Sequence, residues 1–129
     1  MEDLSPEDRA RYARHLTLPQ VGEKGQAQLK VARVFCVGAG GLGSPALLYL
    51  AAAGIGHLTI IDDDCIERSN LQRQILHADR DVGTSKAESA MSRLRELNPS
   101  ISIQIHRTRL TSQNALELID GHDLVLDGT

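Results

Sequence analysis

Residues 31–53, VARVFCVGAGGLGSPALLYLAAA, decide the fold. Val31 to Val37 is rich in β-branched residues and predicts a strand. Gly38-Ala39-Gly40-Gly41-Leu42-Gly43 predicts a loop, and Ser44 to Ala53 a helix of small and leucine residues stopped by Gly54. That helix is apolar on nearly every face, which predicts burial. Glycines at Gly38, Gly40 and Gly43, between a strand and a helix, have a physical use. They allow a tight turn, let backbone N–H groups approach a phosphate closely, and let helix pack on strand. A nucleotide site is favoured over a purely structural glycine turn, and which nucleotide stays open at this point.

Working outward, the same pattern recurs. His57 to Asp62 reads as a second strand ending in three acids, Asp62, Asp63 and Asp64. Ala87, Ala90, Met91, Leu94 and Leu97 fall at helical spacing between Thr84 and Leu97, and Asn98-Pro99 ends that helix. Ile101, Ile103 and Ile105 alternate with polar residues as in a half-buried strand. Thr111 or Ser112 caps a helix through about Ile119, and Asp123 to Asp127 is a fourth strand. Upstream, Ser5-Pro6-Glu7-Asp8 is a capped helix start running to about His15, and Glu23 to Leu29 is a second helical stretch. Strands alternating with helices predict an α/β fold, a parallel sheet built of right-handed crossovers. The expected division is an N-terminal helical segment, residues 1–30, before a Rossmann-like nucleotide-binding domain, residues 31–129.

Composition narrows the function. The chain has 129 residues, 14 Lys+Arg against 17 Asp+Glu and a net charge of −3, so no basic surplus argues for nucleic acid. Aromatics make up 2%, too few for a base-stacking platform. The uncharged run from Val34 to Ile61 is long enough to span a membrane, but its glycines and Pro45 break it. No signal-peptide pattern opens the chain, and the two cysteines, Cys36 and Cys65, form no C-x-x-C pair; a cytoplasmic location is expected. Five scattered histidines lack metal-ligand spacing, and no metal is assigned to them.

Asp62 stands 19 positions after Gly43 at a strand tip, where an acid can accept hydrogen bonds from ribose hydroxyls. The plain alternative for the acid triplet is a solvated turn, which fits at least one of the three. Arg73 and Lys86 in isolation read as ordinary solvated cations. Their segment, however, leaves the carboxyl end of the second strand, the edge where open α/β sheets bind ligands. A dinucleotide pyrophosphate is largely satisfied by a helix N-terminus, whereas a triphosphate calls for added cations and a metal ion. Arg73 and Lys86 are what a triphosphate site adds.

Residues 38–64, then SNLQRQ at 69–74 and VGTSKAESA at 82–90, preceded by RYARH at 11–15, closely resemble the ThiF/MoeB family of adenylyltransferases, relatives of ubiquitin-activating enzymes. The resemblance runs from about Arg11 to Thr129. It implies an enzyme that uses ATP and Mg²⁺ to adenylate the C-terminal glycine of a ubiquitin-like sulfur-carrier protein, releasing pyrophosphate, for molybdopterin, thiamine or thiolated-tRNA synthesis. It implies that Gly41 faces the phosphates, Asp62 holds the ribose, and Asn70, Arg73 and Lys86 contact the nucleotide. Asp64 and Ser69 join these as candidate contacts. Arg14 resembles the arginine that reaches the phosphates from a partner protomer, which implies a homodimer. Arg14 and Arg73 are thus the catalytic candidates. The attacking carboxylate is already ionised, so such a site needs alignment and charge stabilisation rather than a general base.

The family's metal-binding aspartate and its paired C-x-x-C motifs fall after the segment matching Leu126-Asp127-Gly128-Thr129. The resemblance therefore implies a chain truncated after its fourth strand, with Zn²⁺ expected only downstream. Two other readings stay open. An NAD(P)-dependent oxidoreductase domain explains the glycines and Asp62 but leaves Asn70, Arg73 and Lys86 without roles. A non-catalytic fragment serving dimerisation or carrier binding is the other. Branches that modify tRNA adenosine or activate other peptides share the glycine loop.

Overall fold

A computed structural model describes residues 3–129. Ser5 opens the first helix, α1 (Pro6–Arg11), as expected: its Oγ accepts the Asp8 N–H and the Asp8 carboxylate accepts the Ser5 N–H, both at 3.0 Å. Burial alone would raise the Asp8 carboxyl, but the Ser5 N–H and Lys30 hold it below its ordinary value. The helix does not reach His15. It breaks at Tyr12, which is buried, and resumes as α2 (Ala13–Leu16). The break turns the Tyr12 hydroxyl inward to accept the Asn98 Nδ2–H at 2.7 Å, a tertiary bond with no local sequence signal.

Helix α3 (Gly22–Val31) is longer than its apolar pattern and absorbs Val31, so strand β1 (Arg33–Val37) starts two residues later than expected. Leu29 O accepts N–H groups from both Ala32 and Gly56, which closes the helix and turns the chain within one residue. The β propensity of Val31 loses to that turn. Then follow α4 (Gly43–Ala53), β2 (His57–Ile61), short 3₁₀ turns at Arg68–Asn70 and Asp79–Asp81, α5 (Lys86–Leu97), β3 (Ser102–His106), α6 (Ala115–Ile119) and β4 (Leu124–Asp127). Thr111, rather than Ser112, makes the reciprocal pair one turn ahead of α6: its N–H donates to Asn114 Oδ1 at 2.8 Å and its Oγ1 accepts the Asn114 N–H at 3.3 Å.

All four strands are parallel, in the order β3-β2-β1-β4. One sheet face, with Val34, Cys36, Leu58, Ile60 and Ile103, packs on Leu47 and Ala51 of α4 and on Ala90 and Leu94 of α5. The β3–β4 connection crosses the other face. There His122 accepts a 2.7 Å hydrogen bond from the Thr59 hydroxyl and sits edge-on to Phe35. Strand order reverses direction at β1, so the ends of β1 and β4 form the switch point where such sheets bind ligands.

Helix α4 departs from the expectation of burial all round. Leu42 just before it is 69% exposed and Tyr49 77% exposed, with Ala52 open on the same side. One sheet face and one neighbouring helix cover only part of a helix's circumference, and among the described residues no element covers the rest. No helix among the described residues is long and apolar enough to cross a membrane.

Candidate functional site

The chain leaves β1 at the switch point and turns through the glycines into α4. Gly38 has φ +97°, a left-handed conformation costly for other residues, and a Cβ there would sit 3.2 Å from the Gly128 carbonyl beyond β4. Gly43 is tighter still, since a Cβ on it would lie 2.2 Å from the Gly38 oxygen. These contacts press the start of α4 against the end of β1. As a result the Gly40 and Gly41 N–H groups find no acceptor among the described residues and stand at the amino end of an 11-residue helix, an arrangement suited to an anion.

Asp62 closes the next side. Its Oδ2 accepts the Ala39 N–H and its Oδ1 the Asp64 N–H, each at 2.8 Å. A carboxylate has about four lone-pair positions, so roughly two remain for a ligand's hydroxyls. After β2 the chain doubles back along the start of α5, where Ile66 N–H meets Thr84 O, Lys86 N–H meets Asp64 O, and Cys65 bridges Ser85. This return places Lys86, 7% exposed, in the first turn of α5 with its Nζ 3.9 Å from Asp64 Oδ2. A long ion pair leaves the ammonium available to a stronger anion. A cleft of about 600 Å³ results, lined by Gly38, Gly40, Gly41, Asp62, Asp64 and Lys86 among others.

Arg73 lies at the rim. A Cβ on Gly41 would fall 3.7 Å from Arg73 Nε, so the guanidinium packs over the glycine loop, and its Nη1 reaches Ser69 O at 3.5 Å. Asn70 Oδ1 accepts the Glu67 N–H at 2.9 Å and fixes the turn that presents Arg73. Ser69 is exposed beside it. Gly43 lies beneath the cleft as packing rather than in its wall. Arg14 is not brought to this cleft: it is exposed and lines a separate one of about 540 Å³ with Tyr12, His15, Thr17 and Ala52.

Two sets of residues escaped the sequence reading. Thr108, Arg109 and Leu110 form the far wall of the cleft. The signal was available, because the Ile101–Ile105 alternation ends just before them and parallel strands share one carboxyl edge. His77 and Gln74, both buried, pack behind the glycine loop, and only the tertiary structure reveals them. Of the two thiols, Cys36 is buried mid-strand and pushed up to about 12, which makes it inert packing; Cys65 is exposed and unpaired with any other cysteine. Oxygen donors of Asp62, Asp63 and Asp64 lie within 4.8 Å of one another. Each Asp62 oxygen already accepts one N–H and Lys86 faces Asp64, so the triplet offers fewer free oxygen positions than a self-contained Mg²⁺ cradle needs.

Parallel sheet, flanking helices and switch-point cleft together define a Rossmann-like α/β protein. The model described as the ThiF family matches residues 12–129, and the chain belongs to that family. It is 54% identical over 125 residues to a protein of Porphyra purpurea named a probable molybdopterin-synthase adenylyltransferase, covering 97% of this chain and 33% of that one. It is 53% identical over 126 residues to the Mycobacterium tuberculosis protein named a probable adenylyltransferase/sulfurtransferase MoeZ, covering 98% and 32%. The chain thus spans about a third of the length of these curated relatives. Among solved structures it resembles Escherichia coli tRNA N6-threonylcarbamoyladenosine dehydratase, TcdA. The TM-score is 0.92 to the AMP complex, at 33% identity over 98% of this chain and 51% of that one, and 0.90 to the ATP complex, at 34% identity over 98% and 51%.

Proposed function

We propose that the chain is the ATP-binding part of an adenylyltransferase that joins AMP to the C-terminal glycine carboxylate of a ubiquitin-like sulfur-carrier protein. A carboxylate oxygen attacks the α-phosphorus, the bond from the α-phosphorus to the bridging oxygen breaks, and pyrophosphate leaves with that electron pair. The observation that carries this reading is the pair of free N–H groups at Gly40 and Gly41 with Arg73 and Lys86 on either side, in a family whose TcdA member was solved with ATP. In this proposal Gly38, Gly40, Gly41 and Gly43 form the phosphate turn, Asp62 takes the ribose hydroxyls, and Lys86, Asn70 and Arg73 counter the phosphate charge. Asp64 and Ser69 serve by position, one facing Lys86 and the other supporting Arg73. Mg²⁺ accompanies ATP as a counter-ion held mainly by its phosphates, and no step is routed through it.

The proposal extends to a cytoplasmic homodimer. Two observations support the second copy: Arg14 opens on a cleft away from its own glycine loop, and the same side of the molecule carries the uncovered face of α4. ATP–pyrophosphate exchange dependent on carrier protein tests the reaction. Arg73→Ala should weaken ATP binding by about 1.5–3 kcal/mol, the worth of a charged hydrogen bond. Arg68→Ala should leave it unchanged, because Arg68 is paired with Asp79 at the surface. Binding of NADH in place of ATP, or equal effects of the two substitutions, would overturn the reading.

A further inference from the structure

The Ala39–Gly40 peptide decides whether the loop presents its N–H groups to the cleft. In a trans peptide the carbonyl of one residue and the N–H of the next point in opposite directions. With the Ala39 oxygen held inside the protein, the Gly40 N–H is aimed outward. What holds that oxygen is His77, 38 positions away in sequence, whose Nε2 lies 2.8 Å from it. A carbonyl only accepts, so Nε2 carries the proton. The other ring nitrogen, Nδ1, then accepts the Ser89 hydroxyl at 2.8 Å. The ring is 7% exposed and Ser89 is 7% exposed, so neither bond is contested by solvent. Ser44 Oγ adds only a long contact of 3.5 Å to the same oxygen. On the other side of the same residue, the Ala39 N–H is bound by Asp62. One alanine is therefore gripped at both ends, by the acid at the tip of β2 and by a neutral histidine.

We propose that His77 is a positioning residue for the phosphate loop: through Ala39 it fixes the peptide that aims the Gly40 N–H at the α/β-phosphate region of a nucleotide. The inference rests on the reading of the cleft as an ATP site. Charges facing the ring come from three elements, Lys86 on α5, Asp62 at the end of β2 and Asp81 in the second 3₁₀ turn, while burial favours the neutral form. The ring touches no atom of the ligand. It acts by removing the alternative in which the peptide flips and offers a carbonyl oxygen to a phosphate.

The test measures ATP and adenosine affinity and thermal midpoint of the protein with His77→Leu, His77→Gln and Ser89→Ala. His77→Leu should weaken ATP by about tenfold, the effect of one misdirected hydrogen-bond donor, and leave adenosine within about twofold. His77→Gln carries an amide N–H that can reach the Ala39 carbonyl and should restore ATP affinity to within about twofold of the original. Ser89→Ala should lower the thermal midpoint with ATP affinity kept, because it removes a bond to the far side of the ring. If His77→Leu lowers the midpoint but binds ATP as before, or if ATP and adenosine weaken together, His77 is ordinary packing and the proposal falls. If the unsubstituted protein binds no ATP, the nucleotide reading itself fails, which is a separate outcome.

Discussion

At Gly43 the margin is set by backbone rather than by side chain. A methyl group there meets the Gly38 oxygen at 2.2 Å, and neither partner can rotate away. Gly43→Ala should cost about 1–3 kcal/mol of stability by overpacking, seen in urea unfolding, and should remove ATP binding with it. His77 gives a second residue-level expectation. Its pKa lies below 6.5, first because burial penalises the imidazolium and then because Lys86 repels it, against the pull of the Ala39 carbonyl, Asp62 and Asp81. In the pH window below 6.5 the unfolded chain takes up a proton that the folded chain refuses, so stability rises with pH there. The contribution is whole above 6.5 and is lost as pH falls through the folded pKa. Urea unfolding at pH values on both sides of 6.5 should show the unsubstituted protein losing more stability on acidification than His77→Gln. Equal slopes would contradict the buried neutral ring.

The elements are joined by polar contacts at the end of α4. Asn98, fully buried after α5, donates to both the Ala51 carbonyl and the Tyr12 hydroxyl, and Gln26 of α3 donates to the Ala53 carbonyl while accepting from His15 Nδ1. Side chains from α3 and the end of α5 thus bind the terminal carbonyls of α4, and Tyr12 and His15 hold those side chains from the N-terminal helices. Asn98→Ala takes the donor from the Tyr12 hydroxyl and leaves Ala51 O with the Gly54 N–H alone, and an abandoned buried polar group costs about 1–3 kcal/mol. The loss should appear in urea unfolding, together with faster proteolysis in the segment carrying Arg14. Unchanged proteolysis there would mean that the N-terminal helices are held by other contacts. Much of this level was legible: the Ser5 cap, the isoleucine alternation of β3 and the Gly54 stop all rest on neighbours within a turn, whereas α6 starts only at Ala115, after the Thr111 turn. The break at Tyr12 and the loss of Val31 from β1 were not, since each is decided by a partner from another element.

For the whole molecule, the proposed second copy carries its own prediction. If Arg14 acts across a two-fold axis, Arg14→Ala and Arg73→Ala proteins, each impaired at limiting ATP, complement on mixing. A mixed dimer has one cleft with its own Arg73 and the partner's intact Arg14, so random exchange should restore about a quarter of the clefts. No recovery in pyrophosphate exchange would place Arg14 outside the shared site.

The sequence by itself determined the parallel α/β plan, the glycine turn at Gly38–Gly43 and the acid at the tip of β2, because each is written in local periodicity or fixed spacing, and the family, through its likeness over several motifs. Strand order, the wall at Thr108–Leu110, the His77 grip on Ala39 and the separation of Arg14 from its own loop were decided by the tertiary structure. Periodicity says which face of an element is buried. It does not say which distant element covers that face, and the crossovers that bring residue 77 to residue 39, or leave one side of α4 bare, follow from packing the sheet as a whole.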